Sequence, residues 1–155
     1  MVKKEWINQR LQAIQVRKEL TDTWNGHGIE QGREYALLTN EISKAWSGMT
    51  TRQYKDLKGL KKQNLRDNMS TTELILNMLA ETATKDIANT SNPHGLEENK
   101  KVAKRGGNVA KVARETLEKE TGEPVITSKN TIDFGKLTGD VVKEITNSKE
   151  DDKAE

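Results

Sequence analysis

Cysteine is missing altogether from the 155 residues, which excludes a disulfide framework, thiolate zinc sites and thiol nucleophiles together. Long apolar runs are missing as well. None approaches the roughly 18 residues that a membrane span requires. The opening Met1-Val2-Lys3-Lys4-Glu5-Trp6 also lacks the apolar segment of a secretory signal. The expectation is a cytoplasmic protein with no membrane partner. Histidine is scarce: His27 and His94 are the only two, and both stand beside Gly or Pro. A metal site or a general base wants several ligands converging on one face, so solvated turn histidines are the plainer reading. Carboxylates are plentiful, but nothing in their spacing groups them into a site. No metal, cofactor, small-molecule substrate or catalytic residue is expected, and the chain reads as a non-enzyme.

Aromatic and apolar residues are few. One Phe, two Tyr and three Trp stand in a chain that is 32% apolar and equally 32% charged, which is lean for a compact globule and suits helices with a large solvated surface. Such proteins often complete their core by pairing, so a homodimer is expected. Residues 131–155 hold four Lys against seven Asp or Glu, leaving 22 basic and 17 acidic side chains in residues 1–130. The chain divides accordingly into a mildly basic body, 1–130, and a polar acidic tail, 131–155. The tail reads as largely disordered, with a short helix around Val141, Val142 and Ile145 as an option within it.

What is present is helical spacing. In residues 3–23, Ile7, Leu11 and Ile14 make one stripe, and Ala13, Val16, Leu20 and Trp24 a second beside it. Asn25-Gly26-His27-Gly28 then breaks the helix. A second helix is predicted over 30–46, with Tyr35, Leu38, Ile42, Ala45 and Trp46 on one side. Thr50 with Gln53, and Ser70 with Glu73, form two capping boxes, stapled by Met49 with Tyr54 and by Met69 with Leu74. The first starts a short helix ending near Gly59. The second starts a helix over 71–88 whose buried side is marked by Leu74, Ile75, Met78, Leu79 and Ile87. Asn92-Pro93 opens the last long helix, which runs to Glu120 before Gly122 and Pro124. Val125-Ile126-Thr127 suits a brief extended segment. The fold class is all-α, about five helices in an elongated bundle.

Two features bear on function. Residues 52–66 hold Arg52, Lys55, Lys58, Lys61, Lys62 and Arg66 against Asp56 alone. Such a run is either a phosphate-contacting surface, giving salt-sensitive and sequence-independent nucleic-acid binding, or an ordinary solvated face. Further on, Gly106-Gly107 follows Lys104-Arg105, but neither a Walker pattern nor a preceding strand accompanies it. Ala103, Gly106, Ala110 and Ala113 instead form a small-residue stripe for close helix packing or an oligomer interface, with a hinge at the Gly pair as the remaining option. Trp6, Trp24 and Trp46 lie on or beside apolar stripes and read as core.

The stretch Tyr54-Lys55-Asp56-Leu57-Lys58-Gly59-Leu60-Lys61-Lys62, followed by Asn64-Leu65-Arg66-Asp67-Asn68-Met69-Ser70-Thr71-Thr72-Glu73-Leu74, resembles the C-terminal half of DNA damage-inducible protein D. It is also similar to the C-terminal region of phage antirepressor-like proteins that carry an N-terminal Bro-N domain. Glu5-Trp6-Ile7-Asn8-Gln9-Arg10-Leu11, Glu41-Ile42-Ser43-Lys44-Ala45-Trp46 and Gly106-Gly107 extend the likeness over about residues 5–130. The resemblance implies a mobile-element or bacterial stress-response protein that acts on DNA or on DNA-bound proteins. It supplies no catalytic residues. The Bro-N domain, usually assigned the DNA-binding role, has no counterpart in this sequence, which shifts weight toward assembly or partner binding.

Overall fold

The computed structural model describes residues 4–129, and over that range the chain is all-α. Five helices follow one another: α1 (Lys4–Gly26), α2 (Arg33–Ser47), α3 (Thr51–Leu57), α4 (Thr71–Ser91) and α5 (Gly95–Thr121). A single 3-10 turn at Arg66–Asn68 precedes α4, and no strand occurs among the described residues. The segment Val125–Thr127 is therefore a bend and not extended structure, with Val125 and Ile126 packed on the core. The acidic tail, with its optional helix around residues 141–145, lies outside the described residues. Among the described residues no helix is long and apolar enough to cross a membrane.

Helix starts follow the local chemistry. Gln53 N–H donates to the Thr50 hydroxyl at 3.1 Å and Thr50 N–H to Gln53 at 2.9 Å. The same reciprocal pair recurs between Ser70 and Glu73, at 3.2 and 2.8 Å. Each box satisfies two backbone donors that a helix start otherwise leaves orphaned. Asn92 and Pro93 act differently from expectation. Asn92 adopts φ 51° and closes α4, its N–H donating to the Ala88 carbonyl at 2.8 Å. Pro93 sits in the link, and His94 caps α5. Asn tolerates this left-handed conformation, so it ends one helix before Pro can begin the next.

Tertiary packing centres on α4. The pairs Trp6 Nε1 with the Met69 carbonyl (2.9 Å), Arg17 with Glu81 (3.2 Å) and Glu19 with Lys85 (3.1 Å) rise together in number, so α1 and α4 run in the same direction. The face that α1 buries is Ala13, Leu20 and Trp24; Ile7, Leu11 and Ile14 are exposed. On α4 the buried positions include Glu73, Asn77, Glu81 and Thr84 beside Leu74, Leu76, Ala80 and Ala88, while Ile75 and Leu79 face outward. Of the apolar stripe expected there, Leu74 is buried and Met78 packs on the core, while polar side chains take the buried positions in place of Ile75 and Leu79.

The helix α5 lies against both α4 and α2, and its two adjacent glycines make that possible. A Cβ on Gly106 would stand 2.6 Å from the Thr84 backbone nitrogen and 2.7 Å from its Cα. A Cβ on Gly107 would stand 2.5 Å from the Ala45 Cβ and 2.9 Å from the Ile42 carbonyl oxygen. Neither place admits a methyl group without moving backbone. The glycines cost about 1 kcal/mol each in helix propensity and return two close helix crossings on consecutive residues.

Candidate nucleic-acid interface

The cations of residues 52–66 do not share a face. Arg52 is exposed, 3.4 Å from Asp56, and donates to the Lys61 carbonyl at 3.3 Å. Lys55 is half-buried, and Lys61 and Lys62 are exposed on the loop that follows α3. Lys58 is a correction. It lies at the C-cap of α3 with its side chain 0% exposed. Its Nζ donates to Glu73 Oε1 at 3.0 Å, to the Thr127 carbonyl at 3.0 Å and to the Lys129 carbonyl. A phosphate cannot reach that ammonium, because Glu73 and two backbone carbonyls already surround it. Arg66 is half-buried and directed inward as well, donating to Glu81 Oε2 at 2.7 Å. The helix ends at Leu57, so helical spacing does not carry the later cations onto the side that Arg52 occupies.

Two buried carboxylates organise this region. Glu73 accepts from Lys58 and from the Ser70 N–H on one oxygen and from the Tyr54 hydroxyl on the other. Burial, and next the Glu73 charge, push the Tyr54 phenol far above its ordinary range. Glu81 holds the guanidinium groups of Arg17 and Arg66 on one oxygen. Burial lowers the Arg17 pKa, against the opposing attraction of Glu81. These ions join α1, α3, α4 and the segment after α5. Among the described residues no three His, Asp or Glu side chains are grouped to hold a metal ion. His27 Nδ1 lies 2.8 Å from the Thr23 carbonyl, closing the end of α1.

The small-residue stripe is internal. Ala103, Gly106 and Ala110 are buried and Ala113 packs half-buried against the core, all within one chain. That removes the stripe as a surface for a second copy.

A different cationic surface is open. Residues 99–114 contain Lys100, Lys101, Lys104, Arg105, Lys111 and Arg114 and no acid. The buried positions of this helix are small and make the packing stripe; four of these cations lie on its opposite face. Lys101, Lys104, Arg105, Asn108 and Lys111 are all exposed and recur at the spacing of one helix side. A groove between α2 and α5 is lined by Glu41, Lys44, Ala45, Lys104, Asn108 and Lys111. Another, shared with α4, is lined by Ile87, Lys104, Arg105, Asn108 and Val109. Lys44 is 50% exposed and Lys104 66%. Glu41, 3.7 Å from Lys44 and 3.9 Å from Lys104, is the one acid in the first groove and only 16% exposed. Lys100 and Arg114 turn away from this face, toward Glu97 and toward the Trp46 carbonyl and Glu118.

Comparison with known proteins adds one positive finding. A family model described as the DinD C-terminal domain matches residues 3–133, which spans every helix described above. No curated protein matches the chain.

Proposed function

We propose, from the premise that this chain belongs to the DinD C-terminal domain family, that it is a regulatory interaction module that acts on DNA or on DNA-bound proteins by binding and performs no chemistry. One observation carries the reading: both wholly buried carboxylates, Glu73 and Glu81, are occupied by structural cations, while uncompensated positive charge is turned to the solvent. A carboxylate saturated by Lys58, Tyr54 and Ser70 is poorly placed to act as a base or to hold a metal. The large apolar side chains left exposed on α1 and α4, among them Ile7, Leu11, Ile14, Ile75 and Leu79, support pairing with a second copy in that role.

Co-sedimentation of the purified chain with supercoiled plasmid, naked and coated with a DNA-bound protein, in magnesium tests the reading. Association with at least one form, and unchanged plasmid topology, is the expected result. Nicking, or association with neither form, contradicts it. Sedimentation velocity on the same preparation reads the pairing, and a strict monomer at high concentration removes that part.

A second reading rests on residues 52–66 as a sequence-independent nucleic-acid site. With Lys58 and Arg66 turned inward, it is reduced to Arg52, Lys61, Lys62 and the half-buried Lys55.

A further inference from the structure

We infer that the outer face of α5, comprising Lys101, Lys104, Arg105, Asn108 and Lys111 with Lys44 of α2 beside it, is a binding site for the phosphate backbone of double-stranded nucleic acid. This rests on the interaction-module reading and gives it a surface and a ligand chemistry. The stripe from Lys101 to Lys111 covers eleven residues, about 15 Å along a straight helix. Four cations and one amide stand on it, bounded by Glu98 and Glu115 with no acid between them. Duplex DNA presents one negative charge per ~1.7 Å of axis, so a linear array of this length meets several phosphates at once. Among the described residues Lys101, Arg105 and Lys111 have no carboxylate partner, and their charge is available to an incoming anion.

Two observations select this ligand from other polyanions. Three of the four cations on this face of α5 are lysines, which protein–protein interfaces disfavour and phosphate contacts accept as point charges. Single strands are normally held by stacking bases on open aromatic rings. Here Trp24, Trp46 and Tyr54 are buried, Trp6 and Tyr35 half-buried, and among the described residues no Trp, Tyr or Phe is exposed. The Gly107 contact builds the surface indirectly, because the close approach to α2 brings Lys44 level with Lys104 and Lys111 around one groove.

The test is fluorescence anisotropy of short duplexes of two unrelated sequences, titrated with the full chain over a range of salt. About four contacts predict a log–log salt slope of roughly −3 to −4 and little difference between the sequences. Replacing Lys101, Lys104, Arg105 and Lys111 together by Gln, all at exposed helical positions, is expected to weaken binding at least roughly tenfold and flatten the slope. The set Lys101→Arg, Lys104→Arg and Lys111→Arg keeps binding, and Arg52→Gln with Lys61→Gln and Lys62→Gln stays within about threefold of the parent. Circular dichroism melts confirm that each variant is folded. Parent-like duplex binding by the quadruple Gln variant overturns this inference and leaves the module reading intact. A chain that ignores naked duplex but binds poly-glutamate through the α5 lysines, or associates only with protein-coated DNA, also overturns it while sparing the module. Failure with every one of these ligands overturns both.

Discussion

Glu73 gathers partners from three directions, and the residues around it set how the fold responds to substitution. Lys58→Met would leave its carboxylate buried without a cation. That loss is expected to cost about 3–5 kcal/mol in urea unfolding, with part of it restored by adding Glu73→Gln. A surface lysine would cost far less, so a change below about 0.5 kcal/mol contradicts the buried pair. Tyr54 adds a pH dependence. Its folded pKa lies well above the unfolded value, so the unfolded chain releases that proton first on going alkaline. Its contribution is complete below the ordinary tyrosine value, near ~10, and falls as pH rises through it. Unfolding midpoints at pH 9 and 11 are expected to drop further for the parent than for Tyr54→Phe. Equal drops contradict the shift. At Gly106, Ala brings about 1 kcal/mol of helix propensity, but its methyl meets the Thr84 backbone at 2.6–2.7 Å. Overpacking, at about 1–3 kcal/mol, outweighs this, and a net loss of up to about 2 kcal/mol is expected. Adding Thr84→Ala restores little of it, because the clash includes backbone atoms.

The helix starts were readable because a capping box is a local device: Thr50 with Gln53 and Ser70 with Glu73 need only three residues of sequence. Ser70→Ala and Thr50→Ala are each expected to cost about 1 kcal/mol, seen in thermal melts. The larger loss belongs to Ser70, whose box shares Glu73 with the buried pair. Faces were less legible. Ile7, Leu11 and Ile14 repeat at helical spacing yet lie exposed, while Ala13, Leu20 and Trp24 face the core. Periodicity identifies a helix but does not choose between adjacent apolar stripes when the partner is also a helix. On α4, Asn77, Glu81 and Thr84 occupy buried positions that an apolar count assigns to solvent. Their partners, such as Trp46 Nε1 at 3.3 Å from Asn77 and the Ala80 carbonyl at 2.8 Å from Thr84, come from across the bundle or one turn back. For Asn77 and Glu81 only the assembled fold supplies the partner.

At the scale of the molecule, the number of helices and the family were legible, and the exposed charge was not. The cations of residues 52–66 cluster in sequence and then disperse, because α3 ends after two turns and Lys58 and Arg66 are drawn to buried acids. Those of residues 99–114 are separated by Gly, Ala and Val, yet a straight helix gathers four of them on one side. Spacing by three and four is the signal in the sequence, and the same spacing also sets out the buried small residues of that helix.

Amide chemical shifts recorded while a short duplex is titrated into the labelled chain test the account most directly. The predicted result is salt-sensitive perturbation centred on residues 101–111 and Lys44, with residues 52–66 little changed. Perturbation confined to the Arg52, Lys61 and Lys62 side, or none at any accessible salt, would contradict it.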